Sequence, residues 1–204
     1  ISAIGDYAFW NCTKLKSVTV PTGVTSIGSC AFLGCSELAD ITLPSGLKSI
    51  GNYAFGNCSS LKKLTIPEGV TKISEKAFNN CSSLTEVALP NTVKSISDYA
   101  FYDCRSLKKL TLPDNLESIG EKAVFNCTSL KSITITASVK KFGNYAVGYY
   151  FDENWMPTVV EGLKIYCYSG TESEKYAKNN KIDYALIKCT DHNYPAWKTT
   201  KTAT

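Results

Sequence analysis

Apolar residues recur along this chain at fixed offsets, and the offsets repeat every 23 residues. A phenylalanine stands at Phe9, Phe32, Phe55, Phe78 and Phe101, with Val124 and Val147 in the next two slots. A cysteine column follows (Cys12, Cys35, Cys58, Cys81, Cys104, Cys127), and then a leucine column (Leu15, Leu38, Leu61, Leu84, Leu107, Leu130). After each leucine the pattern alternates. LKSVTV at 15–20 and LKKLTI at 61–66 put Val18/Val20 and Leu64/Ile66 on one side, which predicts a short strand. Pro21, Pro44, Pro67, Pro90 and Pro113 end these strands, because proline cannot donate to a ladder. An apolar pair then closes each unit (Val24/Ile27, Leu47/Ile50, Val70/Ile73, Val93/Ile96, Leu116/Ile119, Val139/Phe142), predicting a second extended segment.

The start of each unit reads differently. Gly or Ser (Gly5, Gly28, Gly51, Ser74, Ser97, Gly120) precedes Asp6, Ser29, Asn52 or Asp98, residues that cap helices, with Glu75 and Glu121 in the same slot. Ala-Phe follows, then Asn11, Asn57, Asn80, Asp103 or Asn126, types that tolerate the left-handed conformation ending a helix. One or two helical turns are expected here, with Ala and Phe inward. No single unit can bury its apolar side, but stacked units share one core, and self-similarity at periods of roughly 20–50 residues marks a solenoid.

Stacking changes the reading of the nine cysteines. Equivalent positions in adjacent coils lie roughly 4.8 Å apart with parallel side chains, whereas a disulfide needs converging Cβ atoms about 3.8 Å apart. The column is therefore read as small buried thiols. Cys30, Cys167 and Cys189 lie off it. At 204 residues and 44% hydrophobic content the chain is long enough to bury a core. Its net charge of +4 comes without a basic run, so nucleic acid is not indicated. No apolar stretch approaches the roughly 20 residues of a membrane helix, so no membrane insertion is expected. ISAIGDYAF already lies inside a unit, so targeting information is expected upstream.

The unit resembles the leucine-rich repeats of BspA-like bacterial surface proteins over about residues 1–147. It departs from the commoner leucine-rich pattern: the asparagine-ladder slot holds Gly23, Gly46, Gly69, Thr92, Asn115 and Ser138, so that ladder is missing. The resemblance implies an α/β repeat solenoid, a right-handed superhelix of short strands and short helical turns. It also implies an extracellular or cell-surface setting, adhesion or protein binding, and no catalytic residues or cofactor.

Regularity decays after residue 130. Residues 148–162, GYYFDENWMPTVVEG, read as a loop or hairpin inserted in the last coil. An apolar strand at 163–168, a helix at 171–180 with the S/T-x-x-E spacing of a capping box at Thr171 and Glu174, and a strand at 182–188 follow. This pattern looks like the C-terminal strand-helix-strand cap of the same family. The expected organisation is a solenoid at 1–147, a degenerate last coil with insertion and cap at 148–188, and a linker or the start of a following module at 189–204.

The strand surface is the first candidate for binding. Thr19, Thr42, Thr65, Ala88, Thr111 and Thr134 form one outward column, and Lys62, Lys63, Glu86, Lys108 and Lys109 stand beside it. Concave sheet faces are the usual contact surfaces of solenoids, although threonine is also simply a good strand former. Tyr7, Tyr53, Tyr99 and Tyr145 recur in alternate units and are read mainly as packing residues. The insertion carries Tyr149, Tyr150, Phe151, Trp155 and Met156, either an aromatic anchor or a cover over the end of the core. Cys189 and His192 have half of a zinc spacing, and a Cys167–Cys189 disulfide competes with that reading. His192 is the only histidine, and there is no P-loop, no G-x-G-x-x-G after a strand and no H-E-x-x-H, so no enzyme is expected. The reading is a monomeric binding or adhesion module for an extracellular protein or glycan, with a passive spacer or an accessory glycan-binding module as alternatives.

Overall fold

The computed structural model describes residues 1–187 and shows a solenoid of stacked coils, each with three walls. Cys189 and His192, and the disulfide and metal expectations resting on them, lie outside the described residues. One wall is built from three-residue strands, Ser17–Thr19, Asp40–Thr42, Lys63–Thr65, Glu86–Ala88, Lys109–Thr111 and Ser132–Thr134. A second is built from the two-residue strands Ala3–Ile4, Ser26–Ile27, Ser49–Ile50, Lys72–Ile73, Ser95–Ile96, Ser118–Ile119 and Lys141–Phe142. The ladders among these strands are parallel and in the register of the repeat, for example Lys63↔Glu86↔Lys109 and Ile73↔Ile96↔Ile119.

The third wall corrects the expected helical turns. Segments 7–11, 30–34, 53–57, 76–80, 99–103 and 122–126 contain tight turns and no helix. Each bears two left-handed positions. One holds Tyr7, Cys30, Tyr53, Lys76, Tyr99 or Lys122 (φ 46–57°), and the other holds Asn11, Gly34, Asn57, Asn80, Asp103 or Asn126. The asparagine column thus has the conformation its residue types predict. A second left-handed residue four positions earlier, costing roughly 1–2 kcal/mol for a side chain with a Cβ, stops a helix from forming. Hydrogen bonds to the next coil compensate: Tyr7 N–H donates to Ser29 O (2.9 Å), Phe9 N–H to Ala31 O (2.7 Å) and Asn11 N–H to Leu33 O (2.7 Å). The capping residues also act between coils. Asp6 Oδ1 accepts from Ser29 N–H at 2.6 Å, and Asp98 Oδ1 from Glu121 N–H at 2.8 Å. The repeat is therefore strand and turn rather than α/β, and the one α-helix among the described residues is Glu172–Asn179.

The core is a set of columns. The rings of Phe9, Phe32, Phe55, Phe78 and Phe101 stack with centroids 5.0–5.5 Å apart and nearly parallel planes. From Phe32 onward these rings are fully buried, while Phe9 is 38% exposed. Where Val124 takes the phenylalanine slot, Phe125 fills the next one and stacks on Tyr102 at 5.5 Å. The cysteines from Cys35 to Cys127 are buried and free, and Cys12 is exposed. Each buried thiol donates to the carbonyl of the preceding coil's phenylalanine: Cys35 to Phe9, Cys58 to Phe32, Cys81 to Phe55, Cys104 to Phe78 and Cys127 to Phe101, at 3.1–3.3 Å. Burial pushes the Cys104 thiol up to about 12, and Cys58, Cys81 and Cys127 also shift upward.

At the C-terminal end, strand Lys164–Cys167 pairs with Ser132–Thr134 on one side and Asp183–Leu186 on the other. Thr171 caps the intervening helix by accepting from Glu174 N–H, while Glu174 Oε2 accepts from Gly170 N–H at 2.7 Å. The helix presents Tyr176 inward, where its ring stacks on Phe142 and its hydroxyl accepts from Val147 N–H at 2.9 Å.

Two outcomes test this core. Phe55→Ala should lose about 3–5 kcal/mol of stability, and Phe9→Ala clearly less because its ring is part-exposed; urea denaturation compares them. The thiol column should also make stability fall with rising pH. Unfolded thiols ionise near pH 8.5 while folded ones stay protonated, so the unfolded state binds fewer protons above that point. Each such thiol then lowers stability by about 1.4 kcal/mol per pH unit until its folded pKa is reached. Melting temperature should drop steadily as the pH rises above about 8.5, with a shallower slope in Cys104→Ala.

Candidate interaction surfaces

The wall of three-residue strands places its apolar middle residues inward and its flanking residues outward, as the two-residue period requires. Thr19, Thr42, Lys62, Lys63, Thr65, Glu86, Lys108, Lys109 and Thr111 are all exposed on it. Register brings like positions together: Thr19 lies beside Thr42, Thr65 and Thr111 flank Ala88, and Glu86 sits between Lys63 and Lys109. Lys109 Nζ lies 3.0 Å from Glu86 Oε1. Such an exposed pair contributes at most about 1 kcal/mol; its effect is to alternate charge sign along the column. The wall is not one continuous sheet. Its ladder runs in three pieces, Ser17–Thr42, Lys63–Thr111 and Ser132 onward. A groove of about 550 Å³ follows the first break, with Ile41, Leu43, Leu64 and Pro67 as apolar lining and Asp40, Lys63 and Glu68 among its polar groups.

The turn wall carries the tyrosines, and its alternation has a physical cause. Lys76 lies between two tyrosine rings, its Nζ 4.9 Å from the Tyr53 centroid and 5.1 Å from that of Tyr99, and it donates to Tyr53 Oη at 2.6 Å. That hydrogen bond holds the Lys76 pKa above its ordinary value. Lys122 repeats the arrangement between Tyr99 and Phe151, at 5.6 and 5.8 Å. Lysine in every coil would stack ammonium groups, whereas alternation with tyrosine makes cation–π contacts. Glu75 and Glu121 complete the row, 3.5 Å from Lys76 and 3.6 Å from Lys122. Sequence reasoning found the tyrosines but not this partnership. It also missed short amide ladders outside the usual slot. Asn80 Nδ2 donates to Asn57 Oδ1 at 2.9 Å, and Asn126 Nδ2 donates to Asp103 Oδ1.

The insertion is a hairpin, Tyr149–Phe151 paired antiparallel with Pro157–Val159. Its aromatic residues separate into two groups. Tyr149 is only 7% exposed and its hydroxyl donates to Asn180 Oδ1 at 2.8 Å; Phe151 packs 4.7 Å from Phe125, and Tyr150 is half-buried. Trp155 is 78% exposed at the tip, followed by exposed Met156. The tip is ordered by Asp152, whose Oδ1 accepts from the backbone of Asn154 and Met156 at 2.9 Å, while Thr158 Oγ1 donates to its Oδ2. These bonds hold the Asp152 pKa below its usual range. They also hold Trp155 in a left-handed conformation with φ 59°. Cys167 is buried and free of any disulfide within the described residues. No helix among those residues is long and apolar enough to cross a membrane.

The pattern described as the BspA type leucine rich repeat region matches in six copies, over residues 2–100 and 71–189. Among solved structures the chain is similar to a Treponema pallidum leucine-rich repeat protein, with 27% identity and a TM-score of 0.69 over 92% of this chain and 80% of that one. It is also similar to a leucine-rich repeat protein from Bacteroides ovatus (30% identity, TM-score 0.56, 82% of this chain and 53% of that one). A leucine-rich cell surface protein from Faecalibacterium prausnitzii gives 29% identity and a TM-score of 0.65 over 82% of this chain and 59% of that one. The chain thus spans little more than half of the last two. No curated protein matches it.

Tyr149→Phe should cost about 1 kcal/mol through the lost hydrogen bond to Asn180, while Trp155→Ala should stay within about 0.5 kcal/mol of the parent. Thermal unfolding of both variants checks the division of the hairpin.

Proposed function

Because the chain belongs to the BspA-type leucine-rich-repeat family, we propose that it is a non-catalytic binding module that engages an extracellular protein through the wall of three-residue strands. One observation carries the reading: an ordered, exposed polar platform in strict register, with Lys63, Glu86 and Lys109 side by side over a fully packed core. A rigid platform loses little conformational entropy on binding, so its side-chain pattern is available for recognition. The family supports protein binding, and no catalytic family is indicated. A cell-surface or secreted bacterial setting with an adhesive role is part of the proposal; a structural relative described as a cell surface protein supports it.

A second reading rests on Trp155, which stands exposed on an ordered tip. Aromatic side chains presented in this way anchor sugars or protein pockets. A passive spacer is the outcome if neither surface binds.

Binding to immobilised extracellular-matrix proteins and polysaccharides at physiological salt discriminates the readings. A variant with Lys62, Lys63, Lys108 and Lys109 changed to Glu should retain the parent melting temperature within a few degrees and lose saturable binding by at least about tenfold, roughly 1.4 kcal/mol. Binding kept in that variant but lost in Trp155→Ala moves the site to the hairpin.

A further inference from the structure

The coils are not joined equally, and the weakest joint lies near the middle of the candidate binding wall. Three walls connect each coil to the next. Between the coil holding strands Lys63–Thr65 and Lys72–Ile73 and its successor, all three are stitched, with Thr85 N–H donating to Lys62 O at 3.0 Å and Lys94 N–H to Thr71 O at 2.9 Å. One coil earlier, strand Asp40–Thr42 does not ladder with Lys63–Thr65, and Ser49–Ile50 does not ladder with Lys72–Ile73. The amides of Lys62, Thr71 and Ser74, whose counterparts Thr85, Lys94 and Ser97 are bonded one coil later, make no backbone bond across this interface among the described residues. Ser74 Oγ reaches Ile50 O instead, at 2.5 Å. The later break, between Lys109–Thr111 and Ser132–Thr134, affects one wall only, because Ser118–Ile119 still pairs with Lys141–Phe142.

The turn wall remains continuous at the weak joint, and beside it Ser60 N–H donates to Ser36 O at 3.2 Å and Ser59 Oγ to the same carbonyl at 3.3 Å. Cys30 N–H donates to Asn52 O (2.8 Å), Phe32 N–H to Ala54 O (2.8 Å) and Gly34 N–H to Gly56 O (2.9 Å). Glycine occupies both positions of the last pair. Gly34 stands in the asparagine column, so no side-chain amide bridges this interface as Asn57 and Asn80 bridge the next. The core keeps one stack of rings across it, Phe32 on Phe55 at 5.3 Å, and one thiol bond, Cys58 to Phe32 O. The groove beside Ile41 and Leu64 opens at the same interface.

We infer that the joint between residues 29–51 and 52–74 is a hinge, with the turn wall as its pivot and the groove on the strand wall as its mouth. Motion about a glycine-flanked wall lets the two blocks of the solenoid tilt while each keeps its own ladders, which is how hinges combine rigid bodies with a few yielding residues. The strand wall then changes its curvature at one place rather than along its length. The hinge does not depend on the wall binding anything, so it is tested without a ligand.

Hydrogen exchange read by mass spectrometry on the intact chain and on Gly34→Asn provides the test. Asparagine fits the left-handed slot, and its Cβ would meet the end of the Asn11 side chain at 3.1 Å and lie in ordinary contact with Asn11 Cα at 3.5 Å. In the parent, amides of 62–66 and 71–74 should exchange at least about tenfold faster than those of 85–89 and 94–97, as locally opened segments do. In Gly34→Asn, which extends the amide ladder across the pivot on the opposite wall, the same segments should slow by about threefold or more. Protection at 62–66 and 71–74 equal to that one coil later would overturn the hinge. So would fast exchange that ignores Gly34→Asn, since a static gap has no pivot to stiffen.

Discussion

Everything in this fold depends on one constraint: each residue must fit directly against the residue 23 places away. Stacking at that fixed interval is what joins rings to rings and thiols to carbonyls. The energy of each contact is modest, but the same contact recurs, so an unsuitable residue meets a neighbour on both sides. This is why columns rather than individual positions are the units of the sequence, and why the stability of such an array is a sum of nearest-neighbour terms.

The cysteine column illustrates how that constraint selects residue types. The slot is narrow, buried from Cys35 onward, and faces a phenylalanine carbonyl. Alanine would fill it and leave that acceptor with less; serine would bring a group that is costlier to bury. A thiol is small, tolerates burial, and donates weakly where one weak donor is wanted. The lysine–tyrosine row on the turn wall follows the same logic with charge: adjacent ammonium groups would repel, and Lys76 instead stands between two tyrosine rings.

The strands, their prolines, the buried columns and the exposed threonines and lysines were legible because period-two alternation reports burial directly. The turn wall was misread as helical for a reason the residues themselves explain. Ser, Asp and Asn before Ala-Phe are good caps, and nothing in Tyr7, Lys76 or Tyr99 signals a left-handed backbone. That conformation is imposed by hydrogen bonds to the next coil, which local preference does not report. The same limit hid the two strand breaks and the groove, because the residues at Asp40–Thr42 and Lys63–Thr65 have the same pattern as their laddered neighbours. In the insertion, composition announced an aromatic group but could not divide Tyr149, held by Asn180, from Trp155 at the tip.

The alternating row on the turn wall also sets how an array like this can grow. The backbone repeats every 23 residues, but the chemistry of that row repeats only every second coil, from Tyr53 to Tyr99 to Tyr145. Gain or loss of one coil by duplication or deletion would set tyrosine against tyrosine or lysine against lysine at the junction. Gain or loss of a Tyr–Lys pair of coils would keep the alternation from Tyr53 onward. From Tyr53 onward the chemical period of this wall is therefore two coils, twice the period of its backbone.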